Sequence, residues 1–286
     1  MAKSNVDLMC TYWTTAGLVP GEGDISRFSF KDRVEAMSKA GFKGIGFWHT
    51  DLEHIMSQMP LSEIKKILDA NGMEHIQLEF LTDWFLTGQK KAESDKLKKR
   101  LFEASAALNA SHVKVGDFYE TSCSMDQAVE SWAALCKDAE AYGATIGFEF
   151  MLNSMINTVP EALQMVQQAG AKNGGLIVDI IHVNLINTFG KSHKTTNEEL
   201  SQIPLENLIC VEINDAALES SPLYDPERER RWLGEGDFDV TGFIDAFQKA
   251  GYNGPWALEI YSKDLACLPL QEVCDRAYNT TIPYFK

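Results

Sequence analysis

Short apolar runs alternate with longer segments of helical period from one end of this chain to the other. Eight runs have the length and apolar content of buried strands: Val6–Thr11, Gly44–Trp48, His75–Phe80, His112–Val115, Thr145–Phe150, Leu176–Ile181, Leu208–Ile213 and Trp256–Ile260. Between them, Phe30–Lys39, Leu61–Ala70, Ser94–Leu108, Met125–Tyr142, Val159–Ala169, Val240–Lys249 and Leu270–Asn279 space their apolar residues as helices do. Glycine marks the joints at Gly41, Gly72, Gly143, Gly170 and Gly251, where a left-handed C-cap turns a helix back toward a strand. The sixth unit is the weakest. Asn187–Asn197 is polar and Leu200–Ile203 is short, so no clean helix is expected there.

Strict strand–helix alternation predicts a parallel sheet. Eight units in 286 residues, with no linker-like stretch, predict one closed (β/α)₈ TIM barrel that fills residues 1–286 as a single domain.

Charge narrows the function. A formal net charge of −15 repels phosphate backbones and anionic membranes, which argues against nucleic acid as substrate. Lys96–Arg100 reads as the solvated face of a helix, and the run Arg228–Arg231 lies beside a motif described below. The six cysteines are scattered without C-x-x-C spacing, as free thiols of a reducing compartment would be. The first five residues lack the order of a signal peptide, and no apolar run reaches the roughly 20 residues of a membrane span. A cytoplasmic protein is the expectation.

In a barrel, polar residues at the C-terminal ends of strands carry the chemistry. Four consecutive strands end on an acid among apolar neighbours: Glu149 in Gly147–Phe150, Asp179 in Val178–His182, Glu212 in Val211–Asp215 and Glu259 in Trp256–Ile260. A single buried carboxylate can be structural if it is paired. Four converging on one mouth would repel one another without a cation, so a shared metal is the expectation. Oxygen-rich ligation favours a hard divalent ion, Mn²⁺ first, with Mg²⁺ or Co²⁺ as alternatives.

Glu149, then Asp179-x-x-His182, then Glu212 three before Asp215, then Gly234-Glu235-Gly236-Asp237, then Glu259 together resemble the xylose-isomerase-like barrels. That family includes ketose 3-epimerases, inosose dehydratases, hydroxypyruvate isomerases and dehydroshikimate dehydratases. The resemblance is sharpest over Tyr142–Ser262. It implies that Glu149, Asp179 and Glu259 hold the metal, and that His182 and Arg231 hold substrate oxygens. The family's fourth ligand is usually His, sometimes Gln. Glu212 therefore either completes an all-carboxylate site or turns away from it. Leu233 stands where the Gly-Glu-Gly loop normally opens with Pro.

Such a site acidifies the C–H beside a carbonyl, and Glu149 and Glu259 could remove and return the proton from opposite faces of the substrate. Return to the opposite face gives an epimer, return to the adjacent carbon gives an isomer, and loss of a β-substituent makes the enzyme a lyase. The leading expectation is an isomerase or epimerase of a keto-sugar. The alternative is a lyase, either an inosose-type dehydratase or the metal subunit of a C-glycoside deglycosidase acting on 3-keto-glycosides. The departures at Glu212 and in Tyr12-Trp13-Thr14 suit the lyase. A phosphodiesterase of the same fold needs more histidines and a basic groove, and a non-catalytic sugar-binding barrel leaves the four acids unexplained. His49, Trp48 and Lys114 at neighbouring strand ends are candidate substrate contacts, Lys114 as a partner for Glu79. Several copies in an assembly, or a second, different subunit in the deglycosidase case, complete the expectation.

Overall fold

The computed structural model describes residues 6–118, 121–190, 193–218, 225 and 228–285. Its strands are β1 (Leu8–Cys10), β2 (Gly44–Trp48), β3 (His75–Leu81), β4 (His112–Val115), β5 (Ile146–Glu149), β6 (Gly174–Asp179), β7 (Leu208–Ile213) and β8 (Trp256–Leu258). Every neighbouring pair is parallel, and β1 closes on β8 through Met9 opposite Ala257. The chain is one closed eight-stranded barrel, as the alternation of runs predicts.

Twelve helices are described among these residues. They are α1 (Tyr12–Ala16), α2 (Phe30–Ala40), α3 (His49–Gln58), α4 (Leu61–Ala70), α5 (Gly88–Leu108), α6 (Met125–Glu140), α7 (Val159–Ala169), α8 (Ile180–Phe189), α9 (Asn197–Leu200), α10 (Val240–Ala250), α11 (Lys263–Ala266) and α12 (Leu270–Thr281). Side chains of Ser29, Ser124 and Thr158 cap α2, α6 and α7 by accepting backbone N–H groups of the first turn. Gly41 ends α2 at φ 115°, and a Cβ there would stand 2.8 Å from the Tyr278 ring. None of the described helices is long and apolar enough to cross a membrane.

The sixth unit departs from expectation. Helix α8 begins immediately after β6, and Asp179 caps it by accepting the Ile181 N–H. Its apolar, nearly period-free sequence conceals a helix that is buried for most of its length.

Alternation sorts each strand into an outer and an inner set. Outward residues such as Val113, Val115 and Phe148 pack under the helices, where Trp84 and Trp132 fill the space. The barrel interior is different. Met9, Ile177, Cys210 and Ala257 form a small apolar plug at one level. Above it polar side chains join in sequence: His112 Nε2 donates to Gln77 Oε1 at 2.8 Å, and Gln77 Nε2 donates to Glu79 Oε2 at 3.4 Å.

Burial, with smaller pushes from Lys114 and His75, lowers His112 from its ordinary 6.5 to about 3. The unfolded chain takes up a proton here below 6.5 that the native ring refuses. Stability is therefore complete above that pH and is lost as pH falls toward 3. Replacing His112 with Gln should flatten the pH dependence of urea-unfolding free energy between those limits, by up to about 1.4 kcal/mol per pH unit. An unchanged slope would show that His112 carries no part of the acid sensitivity.

Candidate functional site

The two-residue period of the strands delivers an acid to the barrel mouth from each of four consecutive strands. Glu149 and Asp179 end β5 and β6, Glu212 stands one residue before the end of β7, and Glu259 follows β8 directly. Strand pairing sets Asp179 beside Glu212. All four are at most 5% exposed, and one oxygen from each lies within 4.8 Å of the others. Glu79 on β3 adds a fifth buried carboxylate.

Two cations enter this cluster. Lys114, rising from β4, places Nζ 2.7 Å from Glu212 Oε2, 2.8 Å from Glu259 Oε2, 3.3 Å from Glu149 Oε1 and 3.5 Å from Glu79 Oε2. Arg230 Nη1 reaches Asp179 Oδ2 and Glu259 Oε1, each at 3.0 Å. Asp179 Oδ1 also accepts from Ile181 N and from Asn214 Nδ2. Five carboxylates against two cations leave three negative charges uncompensated when all are ionised.

Their protonation follows from burial and from which acids the cations reach. Burial raises Glu149 to about 8, against the pull of Lys114. Burial likewise raises Glu79, Asp179 and Glu212. For Glu259 burial is outweighed by Lys114 and Arg230, and its carboxyl stays below the usual carboxylate range. Lys114 is raised because Glu149 and the other acids outweigh its own desolvation. His182, in the first turn of α8, is kept neutral by burial and by Arg230.

A cavity of about 390 Å³ opens over the cluster. Glu79, Lys114, Glu149, His182, Arg230 and Glu259 line its floor, while Asp179 and Glu212 lie beneath. Its walls are rings: Trp13 packs 5.0 Å from Trp48 and 4.5 Å from Tyr261, and Phe80 stacks 4.7 Å from Phe118. Sugar C–H faces pack on such surfaces.

The donor set suits a hard divalent cation. Its carboxylate oxygens converge, and Glu212 Oε1 is buried with no hydrogen-bond partner among the described residues. Glu149, Asp179 and His182 form a second convergent trio. Glu212 faces the cluster rather than turning away.

Trp48 and Lys114, two of the substrate contacts expected from sequence, line the cavity; two others need correction. Arg231 does not face the mouth. Its backbone pairs with Asp215 and its Nη1 donates to Glu235 O. Arg230, one residue earlier, is the arginine that lines the cavity, where Arg231 was expected to hold substrate oxygens. His49 opens α3 and is absent from the cavity lining; its Nδ1 faces the Phe80 N–H at 3.4 Å. Sequence reasoning also missed Asn214. The inward alternation of β7, from Cys210 through Glu212 to Asn214, was the signal that could have found it.

Asp215 decides which arginine enters. Its carboxylate accepts from the N–H groups of Ala216, Gly234, Gly236 and Phe238, and its backbone bridges Arg231. That grip fixes the register of the returning segment, so that alternate residues point into the cavity and away from it.

Known proteins resemble this chain along most of its length. The family described as xylose isomerase-like TIM barrel matches residues 34–277. A 3-dehydroshikimate dehydratase of Pseudomonas aeruginosa is 23% identical over 243 residues, covering 83% of this chain and 37% of the relative. The chain thus spans well under half the length of that dehydratase. An inosose isomerase of Halalkalibacterium halodurans is 20% identical over 87% of this chain and 89% of its own. An L-ribulose 3-epimerase of Mesorhizobium japonicum is 27% identical over 49% of this chain and 43% of its own. Among solved structures, the IOLI protein with a bound zinc atom superposes with a TM-score of 0.82 at 20% identity, covering 98% of both chains. A D-allulose 3-epimerase of Methylomonas sp. in complex with D-allulose gives 0.70 at 18% identity, covering 96% and 95%. These structural likenesses establish the fold.

Asp215→Ala strips the acceptor from four backbone N–H groups. It should cost about 2–4 kcal/mol in urea unfolding, and Asp215→Asn, which keeps one acceptor oxygen, about half as much. Equal stability of both variants and the parent would mean that the loop holds its register by other contacts.

Proposed function

The chain belongs to the xylose isomerase-like TIM-barrel family, and we propose that it is a divalent-metal-dependent sugar isomerase or epimerase. It removes the proton beside the carbonyl of a keto-sugar or related polyol and returns it elsewhere. The carrying observation is the convergence of buried carboxylates on the floor of an aromatic-walled cavity. Relatives named dehydratase, isomerase and epimerase support an enzyme of this general kind.

Glu149, Asp179 and Glu259, with Glu212 as a fourth oxygen donor, would hold the cation, Mn²⁺ in this reading. When bound there, it would polarise the substrate carbonyl and offset the charge that develops on its oxygen. The chain's own residues do the rest. Glu149 and Glu259 line the cavity from β5 and from the end of β8, so one can take the proton and the other return it. Arg230, held by Asp179 and Glu259, brings positive charge to the same floor before substrate arrives, and Lys114 adds a second cation there. His182 lines the cavity from the first turn of α8, where its ring can meet a substrate hydroxyl. Trp13, Trp48 and Tyr261 orient the ring and exclude water.

The aromatic walls favour one second reading. If the substrate carries a leaving group β to the acidified carbon, the same proton removal ends in elimination, and rings at the rim would suit a bulky aromatic substituent. The chain would then be a lyase acting on a keto-glycoside or an inosose.

Metal-loaded protein incubated with keto-sugars in deuterated water should introduce deuterium beside the carbonyl, and the product separates isomerase from lyase. Glu149→Gln and Glu259→Gln should each lower turnover by about 10²–10⁴-fold with the fold intact. If both variants kept full turnover and metal content, this assignment of the site would fail.

A further inference from the structure

Lys114 is explained neither by proton transfer nor by a set of oxygen donors for a metal. Its ammonium is 1% exposed and stands among the atoms a small cation would occupy. Glu149, Glu212 and Glu259 are three of the four acids whose oxygens converge within 4.8 Å, and Lys114 Nζ is within 3.3 Å of all three. A divalent ion on those oxygens would meet an ammonium at close range in a region of low dielectric, where like charges repel strongly. Both cations cannot hold the same oxygens.

Glu79 is also unexplained, because it is not among the convergent donors. It is 1% exposed, its Oε1 accepts from the Tyr12 N–H at 3.2 Å, and its Oε2 faces Lys114 Nζ at 3.5 Å. Glu79 and Glu212 together give the lysine a place to stand. From there a small movement releases Glu149 and Glu259 without leaving the ammonium unpaired, which a buried charge could not tolerate.

We propose that Lys114 is the resident cation of this site, that it and a divalent metal compete for the carboxylates of Glu149 and Glu259, and that Glu79 is the berth to which the ammonium withdraws when metal binds. The competition sets the metal affinity of the chain, so metal occupancy follows metal supply instead of being permanent. The inference rests on the proposed function only in taking a divalent ion as a ligand of the cluster.

The test is calorimetric titration of Mn²⁺ into metal-stripped protein. Lys114→Met should bind Mn²⁺ about tenfold tighter than the parent or more, and Lys114→Arg, which keeps the charge, should not. Glu79→Gln should weaken Mn²⁺ binding about tenfold in the parent and leave it unchanged in the Lys114→Met background, a coupling that simple loss of negative charge would not give. Unchanged affinity in Lys114→Met overturns the proposal while leaving a metal enzyme in place. Should Lys114→Met fail to fold, unchanged affinity in Glu79→Gln overturns it alone. Absence of Mn²⁺ binding in parent and variants alike overturns the proposed function and this inference together.

Discussion

Keeping five carboxylates out of water at one end of the barrel is the constraint on which the rest of the site depends. Each costs several kcal/mol to ionise there unless a cation or hydrogen-bond donors receive it. Lys114 and Arg230 supply two positive charges. Ile181 N, Asn214 Nδ2 and Tyr12 N supply donors to Asp179 and Glu79. The cations are not shared evenly. Glu259 touches both and stays ionised, whereas Glu149, close only to Lys114, is raised to about 8. Neighbouring acids of one cluster thereby acquire opposite tendencies toward protons.

The rest of the fold can be read as support for that layer. The apolar plug of Met9, Ile177, Cys210 and Ala257 gives way to His112 and Gln77, and these to Glu79 and Lys114. Polarity rises along the barrel: His112 donates to Gln77, Gln77 donates to Glu79, and Glu79 faces the Lys114 ammonium as an ion pair. The remote anchor is Asp215, which belongs to the same β7 end as Glu212 but spends its carboxylate on four backbone N–H groups. By tying down the segment after the residues it does not touch, it delivers Arg230 to Asp179 and Glu259 from outside the barrel.

The contrast between these elements explains what the sequence made legible. The barrel was readable because apolar runs and helical segments alternate, and the four acids were readable because strand alternation is local and strict. The pairing of Lys114 with Glu79 was legible, but its reach to Glu149, Glu212 and Glu259 was not, because His112-Val113-Lys114-Val115 alternates in either sense until the neighbouring acids are placed. Arg230 was read as Arg231 because the choice between adjacent arginines is made by an antiparallel bridge between Asp215 and Arg231, a contact with no local signature. His49 begins a helix, and there its ring meets the backbone of β3 instead of the cavity. Helix α8 went unseen for a related reason: a segment buried for most of its length shows little period, and Asp179 serves at once as strand end, helix cap and member of the acidic cluster.

That triple use of Asp179 bears on what the cavity can accept. The acid cannot move to meet a ligand without uncapping α8 and releasing Arg230, so the negative floor is fixed before anything binds. Arg230 is already committed to Asp179 and Glu259 and Lys114 to four acids, which leaves Arg228 as the cavity arginine outside that cluster. A phosphorylated substrate would add charge to a floor that already carries an excess of carboxylates. An uncharged polyol asks nothing more of it: hydroxyl groups can donate to the same carboxylates, while the rings of Trp13, Trp48 and Tyr261 take the apolar face. Under the proposed function, the electrostatics of the floor and the chemistry of the walls both favour an uncharged polyol over a phosphorylated one.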